Sequence, residues 1–201
     1  MTRSSDLMTR IEAALGQPGA ASSDFDLNPG TQLPGDRQLR DAAVLILLSD
    51  LGGDPHIYLT KRASGLKHHP GQIAFPGGKL DASDANLQSA ALREAREEVA
   101  LPDGAAQVLG HLPPHETVTG FTVTPFVARL ARPFDPVVET GEVAEVFTVP
   151  LTHLMEPGNY AIEGRHWRGA TRHYYTVPFG PYYIWGATAR MLRALAERVA
   201  A

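Results

Sequence analysis

The spacing of apolar and polar positions changes character several times along the chain, and each change predicts an element. Ile11, Ala14 and Leu15 fall on one face of a short N-terminal helix, which either docks or frays. The next stretch, 17–40, has little periodicity and is rich in Gly, Pro, Ser and Asp (Gln17-Pro18-Gly19, Asn28-Pro29-Gly30, Leu33-Pro34-Gly35). It reads as an arm over the surface and not as a second domain. An unbroken aliphatic run over 41–48 predicts a strand buried on both faces. After a turn at Gly52-Gly53-Asp54-Pro55, the alternating segment His56 to Arg62 predicts a second strand, so the two form a hairpin. A loop over 63–81 follows. The spacing then predicts a helix over about 85–100, capped by Ser83 or Asp84 and stopped by Pro102. Strands are expected over 107–112, 121–130 and 145–149, and a last helix over 185–199 with Ala189, Leu192, Leu195 and Val199 at helical spacing. The alternation of strands and helices predicts a mixed α/β (α+β) domain over 41–201, preceded by a helix and irregular arm over 1–40.

Composition narrows the chemistry. With 201 residues, 43% of them hydrophobic, the chain is long enough to bury one core unaided. It has no cysteine, which excludes disulfide scaffolds, zinc–thiolate sites, iron–sulfur clusters and thiol nucleophiles. Lys and Arg number 18 against 22 Asp and Glu, a formal charge of −4, so the overall charge offers no case for nucleic-acid binding. The longest apolar run, 42–48, falls far short of the ~20 residues of a membrane span. No apolar segment follows the charged N-terminus as a secretory signal requires, and the chain reads as soluble and cytoplasmic.

The segment Leu92-Arg93-Glu94-Ala95-Arg96-Glu97-Glu98-Val99 carries three carboxylates on one side of the central helix. At about 100° per residue, Glu97 and Glu98 lie roughly 60° and 40° to either side of Glu94, with Cβ atoms ~5–6 Å apart. The apolar stripe Ala91, Leu92, Ala95 and Val99 runs alongside, so the carboxylates border the buried side. Like charges at this spacing repel, and a divalent cation reverses the sign of that interaction. Mg²⁺ takes oxygen ligands and completes its shell with water and substrate phosphates. The plain alternative is a solvated Glu-rich face on which Arg93 pairs with Glu97 at i+4. Upstream, Phe75-Pro76-Gly77-Gly78 supplies a loop with little side-chain bulk, where backbone groups can approach a ligand.

Taken together, Gly78, Asp84 and Arg93-Glu94-Ala95-Arg96-Glu97-Glu98-Val99-Ala100-Leu101 resemble a Nudix box, whose family pattern is G-x5-E-x7-R-E-U-x-E-E-x-G-U. One extra residue lies between Gly78 and Arg93. Asp84 stands in place of the first Glu, as helix cap or ligand, and Ala100 replaces the closing Gly. The segment Leu59-Thr60-Lys61-Arg62-Ala63-Ser64-Gly65-Leu66-Lys67-His68-His69-Pro70-Gly71-Gln72-Ile73-Ala74-Phe75-Pro76-Gly77-Gly78 is similar to the one that precedes the box in coenzyme A pyrophosphatases. So are Thr119-Gly120-Phe121, Val123-Thr124-Pro125 and the stretch 183–189, and the likeness spans about 41–195.

The resemblance implies a Nudix fold, a mixed β-sheet sandwiched between helices in three layers (α/β/α). It implies Mg²⁺- or Mn²⁺-dependent hydrolysis of a diphosphate linked to another moiety. With coenzyme A the products are 3′,5′-ADP and 4′-phosphopantetheine. The rival readings are a Nudix hydrolase of NADH or ADP-ribose, and a catalytically silent Nudix domain that binds a nucleotide or protein. By family analogy Glu94 and Glu98 are the metal ligands, Glu97 is a third ligand or a base, and the Gly78 carbonyl completes the shell. Glu142 is the favoured general base, with Glu139, Glu145, His115 and Glu116 as the other candidates. The 3′-phosphate of coenzyme A calls for cations, and Lys61, Arg62, Lys67, His69 and Lys79 are nearest in sequence. His69 and Gln72 either order the loop or touch the ligand. Trp185 and Tyr174-Tyr175 read as packing residues. The expected partner is a small molecule, with neither nucleic acid nor membrane, and the arm either covers a homodimer surface or trails.

Overall fold

Both faces of the 41–48 run are indeed covered, and that burial organises the molecule. The computed structural model describes residues 3–31, 33, 36–51, 53–167 and 169–201. Pro34-Gly35 of the expected arm and Gly52 of the expected turn lie outside the described residues. The elements in chain order are α1 (Arg3–Leu15), β1 (Ser22–Ser23), β2 (Arg40–Ser49), β3 (His56–Arg62), β4 (Ile73–Ala74), β5 (Gly77–Lys79), α2 (Leu87–Val99), β6 (Ala106–His111), β7 (His115–Glu116), β8 (Phe121–Leu130), β9 (Val143–Pro150), α3 (Leu151–Leu154), β10 (Ala161–Trp167), β11 (Ala170–Thr176) and α4 (Gly186–Ala200).

Among the described residues, β1 to β9 form one mixed sheet with the path β1-β7-β8-β2-β3-β4, where β5 lies beside β2, β6 beside β8 and β9 beside β3. Strand β2 sits at its centre, parallel to β8 and antiparallel to β3 and β5. Successive side chains of a strand point to opposite faces. Ala43, Leu45 and Leu47 therefore pack with Phe126, Ala128 and Leu130 under α2, through Ala90, Ala91, Ala95 and Val99. Ala42, Ile46 and Leu48 face the other way, onto Ile11 of α1 and Leu192, Leu195 and Val199 of α4. This mixed sheet flanked by helices is the three-layer arrangement that the sequence resemblance implies.

Several details differ from the sequence reading. The β2–β3 hairpin exists, but it pairs only over Leu47–Ser49 and His56–Tyr58, because β2 gives most of its length to β8 and β3 gives its length to β9. The 63–81 loop contains β4 and β5, which edge onto β3 and β2. The arm is tied down: β1 pairs with β7, and the fully buried His115 stands between Ser22 (2.9 Å) and Asp24 (3.1 Å). The ribbon β10–β11 stands apart from the main sheet, and the sequence reading had no element there.

Candidate active site

The carboxylates are positioned by how α2 is capped and how closely it packs. Its N-cap is Asn86, not Ser83 or Asp84. The Asn86 side chain accepts from the Ser89 backbone N–H at 2.9 Å, and the Ser89 hydroxyl accepts from the Asn86 N–H at 2.9 Å, a complete capping box. At the other end Ala100 takes the left-handed conformation (φ 57°) that a glycine would adopt without strain. Small residues on the inner face let the helix lie against β2, which brings Glu98 down beside β5.

Asp84 is neither cap nor free ligand. It receives both Nε and Nη2 of Arg93 at 3.0 Å, and this fork holds its carboxyl below the usual range. Arg93 also reaches Glu94 (3.1 Å), Glu97 (2.9 Å) and the Lys79 carbonyl (3.3 Å). One guanidinium thus fastens the glycine loop to the helix. The Arg93–Glu97 pair of the plain reading is real. Glu97 leans outward, its side chain 57% exposed, while Glu94 and Glu98 turn in.

Glu98 is 4% exposed. It accepts from the Gly77 N–H, but its Oε2 is buried without a hydrogen-bond partner among the described residues. Burial, then the Glu94 charge beside it, pushes its carboxyl up to about 8, against the pull of Arg62. Burial raises Glu94 as well, with Arg93 opposing. Gly77 is required sterically, since a Cβ there would collide with the backbone of Ala43 and Val44 in β2, and a Cβ at Gly78 would push the Glu94 carboxylate out of its place. Backbone bonds from Val137 to the Val99 carbonyl (3.2 Å) and from Glu139 to the Glu98 carbonyl (3.0 Å) dock the 137–142 segment on the end of α2. The Glu142 charge consequently acts on both Glu94 and Glu98.

Two inward carboxylates, an orphaned buried oxygen and a carbonyl-bearing glycine in contact with one of them fit a hard divalent cation. Among the described residues, no three acidic or imidazole side chains converge tightly enough to hold an ion unaided. Water and substrate phosphates would complete the shell, as is usual for Mg²⁺.

Beside this cluster opens a cleft of about 480 Å³. Arg62, His69 and Gln72 line it, three of the six residues expected to bind substrate. Lys61, Lys67 and Lys79 do not line it and are exposed, Lys61 because its strand position sets it opposite Glu145 of β9. Three of the other base candidates are engaged elsewhere, and Glu139 shares the 137–142 segment with Glu142. Both ring nitrogens of His115 are bonded, Glu116 pairs with Arg37 (2.9 Å) and Glu145 accepts from the Tyr182 hydroxyl. Tyr174 and Trp185, expected only to pack, line the cleft and meet edge-on at 5.1 Å, whereas Tyr175 packs against the core. Arg165, Arg172 and His173 of the β10–β11 ribbon line it too, with Asp24 and Asn28 of the arm. Nothing local in the sequence marked the ribbon residues; their one signal was the run of cations and aromatics over 165–175.

Comparison with known proteins identifies the family. The NUDIX domain family model matches residues 39–168, well over half of the chain. A protein of Cronobacter sakazakii named "Uncharacterized Nudix hydrolase NudL" is 43% identical over 160 residues, covering 80% of this chain and 83% of its own. Its namesake from an Enterobacter species is 42% identical over the same coverage. Among solved structures, a MutT/nudix family protein from Enterococcus faecalis superposes with a TM-score of 0.53 at 14% identity, covering 86% of this chain and 66% of that one, and so shares the fold. A carboxylate-bearing helix braced against a glycine loop, under a family match of this extent, places the chain in the Nudix hydrolase family.

Proposed function

We propose that the chain hydrolyses the diphosphate bond of coenzyme A or its derivatives, giving 3′,5′-ADP and 4′-phosphopantetheine or its acyl form. Residues 41–201 carry the reaction in this reading, and residues 1–40 brace the cleft. The observation that carries it is the position of Arg62. This residue belongs to the segment that resembles coenzyme A pyrophosphatases, lines the cleft, and acts electrostatically on Glu98. His69 and Gln72 of the same segment line the cleft with it.

Nudix hydrolases use divalent metal ions. Mg²⁺ or Mn²⁺ would be held here by Glu94, Glu98 and the Gly78 carbonyl. Bound there, the ion would neutralise diphosphate charge and acidify a coordinated water. A diphosphate resists attack because its oxygens are already negative, so catalysis is mostly charge neutralisation and in-line positioning. Arg62 supplies a fixed cation toward the diphosphate. Gln72 and His69 orient the chain on either side of it, and Glu142 accepts the proton of the attacking water. Glu97, which pairs with Arg93 at the rim, is the third metal ligand or a second base.

The test is product analysis by liquid chromatography and mass spectrometry after incubation with coenzyme A, NADH or ADP-ribose, each with Mg²⁺, Mn²⁺ or chelator. Release of 3′,5′-ADP from coenzyme A with either metal and not with chelator is the expected result. Cleavage of NADH or ADP-ribose alone would replace the substrate and keep the metal helix. Absence of cleavage with every metal would point to the silent binding module.

A further inference from the structure

The end of the ribbon and the start of α4 are joined by backbone pairing. Thr176, the last residue of β11, bridges to Trp185 in antiparallel fashion. Tyr174, two positions earlier on the same face of the strand, therefore falls diagonally beside the indole. The two rings meet edge-on at 5.1 Å, and both line the cleft. Trp185 is the N-cap of α4 but makes no side-chain capping bond, so its ring is free of the helix end. Tyr174 is braced from another side. Glu163 stands opposite it in the ribbon and accepts from the Tyr183 hydroxyl at 2.6 Å. Burial, that bond and the neighbouring Tyr174 hydroxyl all push the Tyr183 phenol up. Tyr174 and Trp185 are thus fixed in place yet only half-buried, with the cleft on their open side. Gln72 lines the cleft with them. Its backbone N–H and carbonyl are spent on His69 (3.2 Å) and Arg62 (2.9 Å), while its carboxamide makes no hydrogen bond among the described residues. The carboxamide nitrogen lies 3.9 Å from where a Cβ on Gly186, the residue after the indole, would stand.

We infer that Tyr174 and Trp185 form a platform on which the heterocyclic base of a nucleotide substrate stacks, with the Gln72 carboxamide at its polar edge. This deepens the coenzyme A reading and rests on it, through the adenosine that coenzyme A shares with NADH and ADP-ribose. Every base has a π-face, and its stacking on an aromatic side chain matches or exceeds one neutral hydrogen bond. A carboxamide carries both a donor and an acceptor, and so complements the paired acceptor and donor on the edge of adenine. Arg62 lines the same cleft, which lets base and diphosphate lie along one surface. Tyr183 and Glu163 do not line the cleft and are positioning residues, acting through the Tyr174 ring.

The test uses the full chain without metal, so that binding is read without turnover. Calorimetric titration compares 5′-AMP with ribose 5-phosphate, which keeps sugar and phosphate but lacks the base, and with 4′-phosphopantetheine, which brings a flexible chain instead. In parallel, Trp167→Phe leaves Trp185 as the only one of the two tryptophans, and its fluorescence reports on the platform. The wild type is expected to bind 5′-AMP about tenfold or more tighter than ribose 5-phosphate. Of the three ligands, 5′-AMP should quench Trp185 most. Tyr174→Leu and Trp185→Leu should each remove most of the preference, and Trp185→Phe should restore much of it. Gln72→Leu should weaken 5′-AMP a few-fold and leave ribose 5-phosphate unmoved. Tyr183→Phe, which removes one hydroxyl and keeps the ring, should lower the preference a few-fold in a chain that still melts cooperatively. Rings that only pack would give the reverse, lower melting temperatures with the preference intact. Equal or undetectable wild-type binding of 5′-AMP and ribose 5-phosphate overturns the platform, and that result needs no variant to fold. So does 5′-AMP binding that leaves Trp185 emission unchanged, or stronger quenching by 4′-phosphopantetheine. If the base preference depends on the platform while coenzyme A resists hydrolysis, the substrate assignment fails and the base site stands. Hydrolysis of coenzyme A without any base preference keeps the substrate and removes the site.

Discussion

Glu98 is held in an arrangement that opposes folding and suits a cation. Its carboxyl ordinarily titrates near 4.5 and is pushed up to about 8 by burial. A carboxyl that binds its proton more tightly in the folded state lowers stability as pH rises from its unfolded value, and the penalty is complete above its folded value. Each pH unit between the two amounts to ~1.4 kcal/mol. In chelator, Glu98→Gln is therefore expected to melt several degrees above the wild type at pH 9 and to converge with it near pH 5. Mg²⁺ should raise the wild-type melting temperature at pH 8 and leave the variant almost unmoved. The same change should lower turnover by about a hundredfold or more, since it removes a charged ligand while keeping shape. Lower thermal stability of the variant at pH 9 would contradict the account. For Glu142→Gln, a fall in kcat of about 10²–10⁴ with KM nearly constant is expected of a lost base. Parallel loss in Glu139→Gln would shift the role along the loop. Glu94, Glu97 and Glu98 were visible in the sequence because their helical spacing is a local property. That Glu97 turns out while the other two turn in depends on Arg93, whose partner Asp84 lies nine residues away and off the helix.

Helix α2 ends where strain is tolerated. Ala100 holds a left-handed backbone conformation that places its Cβ against its own carbonyl, a penalty of roughly 1–2 kcal/mol for a non-glycine residue. Its N–H bonds to the Ala95 and Arg96 carbonyls close the helix there, before Pro102 is reached. Ala100→Gly should raise stability by about 1 kcal/mol, or roughly 2–4 °C in a chain of this size, checked by thermal melting with activity unchanged. A destabilised variant would show that the left-handed cap is not strained. The extent of the helix was readable from its apolar stripe to within two residues. Its cap was not, because Ser83, Asp84 and Asn86 are all good capping types and only the capping box with Ser89 selects one.

Across the molecule, the N-terminal helix belongs to the same core as the sheet. Ile11 is fully buried and packs with residues of α4, and Arg198 of α4 donates to the Ala14 carbonyl at 2.7 Å. Ile11→Ala should cost about 2–5 kcal/mol by leaving a cavity, read by denaturant unfolding. A change below 0.5 kcal/mol would mean that the helix only trails. The arm that follows then delivers Asp24 and Asn28 to the wall of the cleft, so damage at α1 should also disturb the cleft.

Periodicity was enough to place β2, β3, β8, α2 and α4, since alternation and helical spacing depend on near neighbours and a buried face repeats at fixed intervals. The same local rule made the three carboxylates and the two glycines readable as one candidate platform. The cleft was beyond that rule. Residues 24, 62, 117, 165, 172 and 185 line it together only because β1 pairs with β7, β3 ends beside β4, and the β10–β11 ribbon folds back toward the start of α4. Those pairings join segments distant in the chain, and their register is set by packing in the assembled sheet. Which cations line the cleft is therefore decided by the fold, while which carboxylates share a helix face is decided by spacing alone.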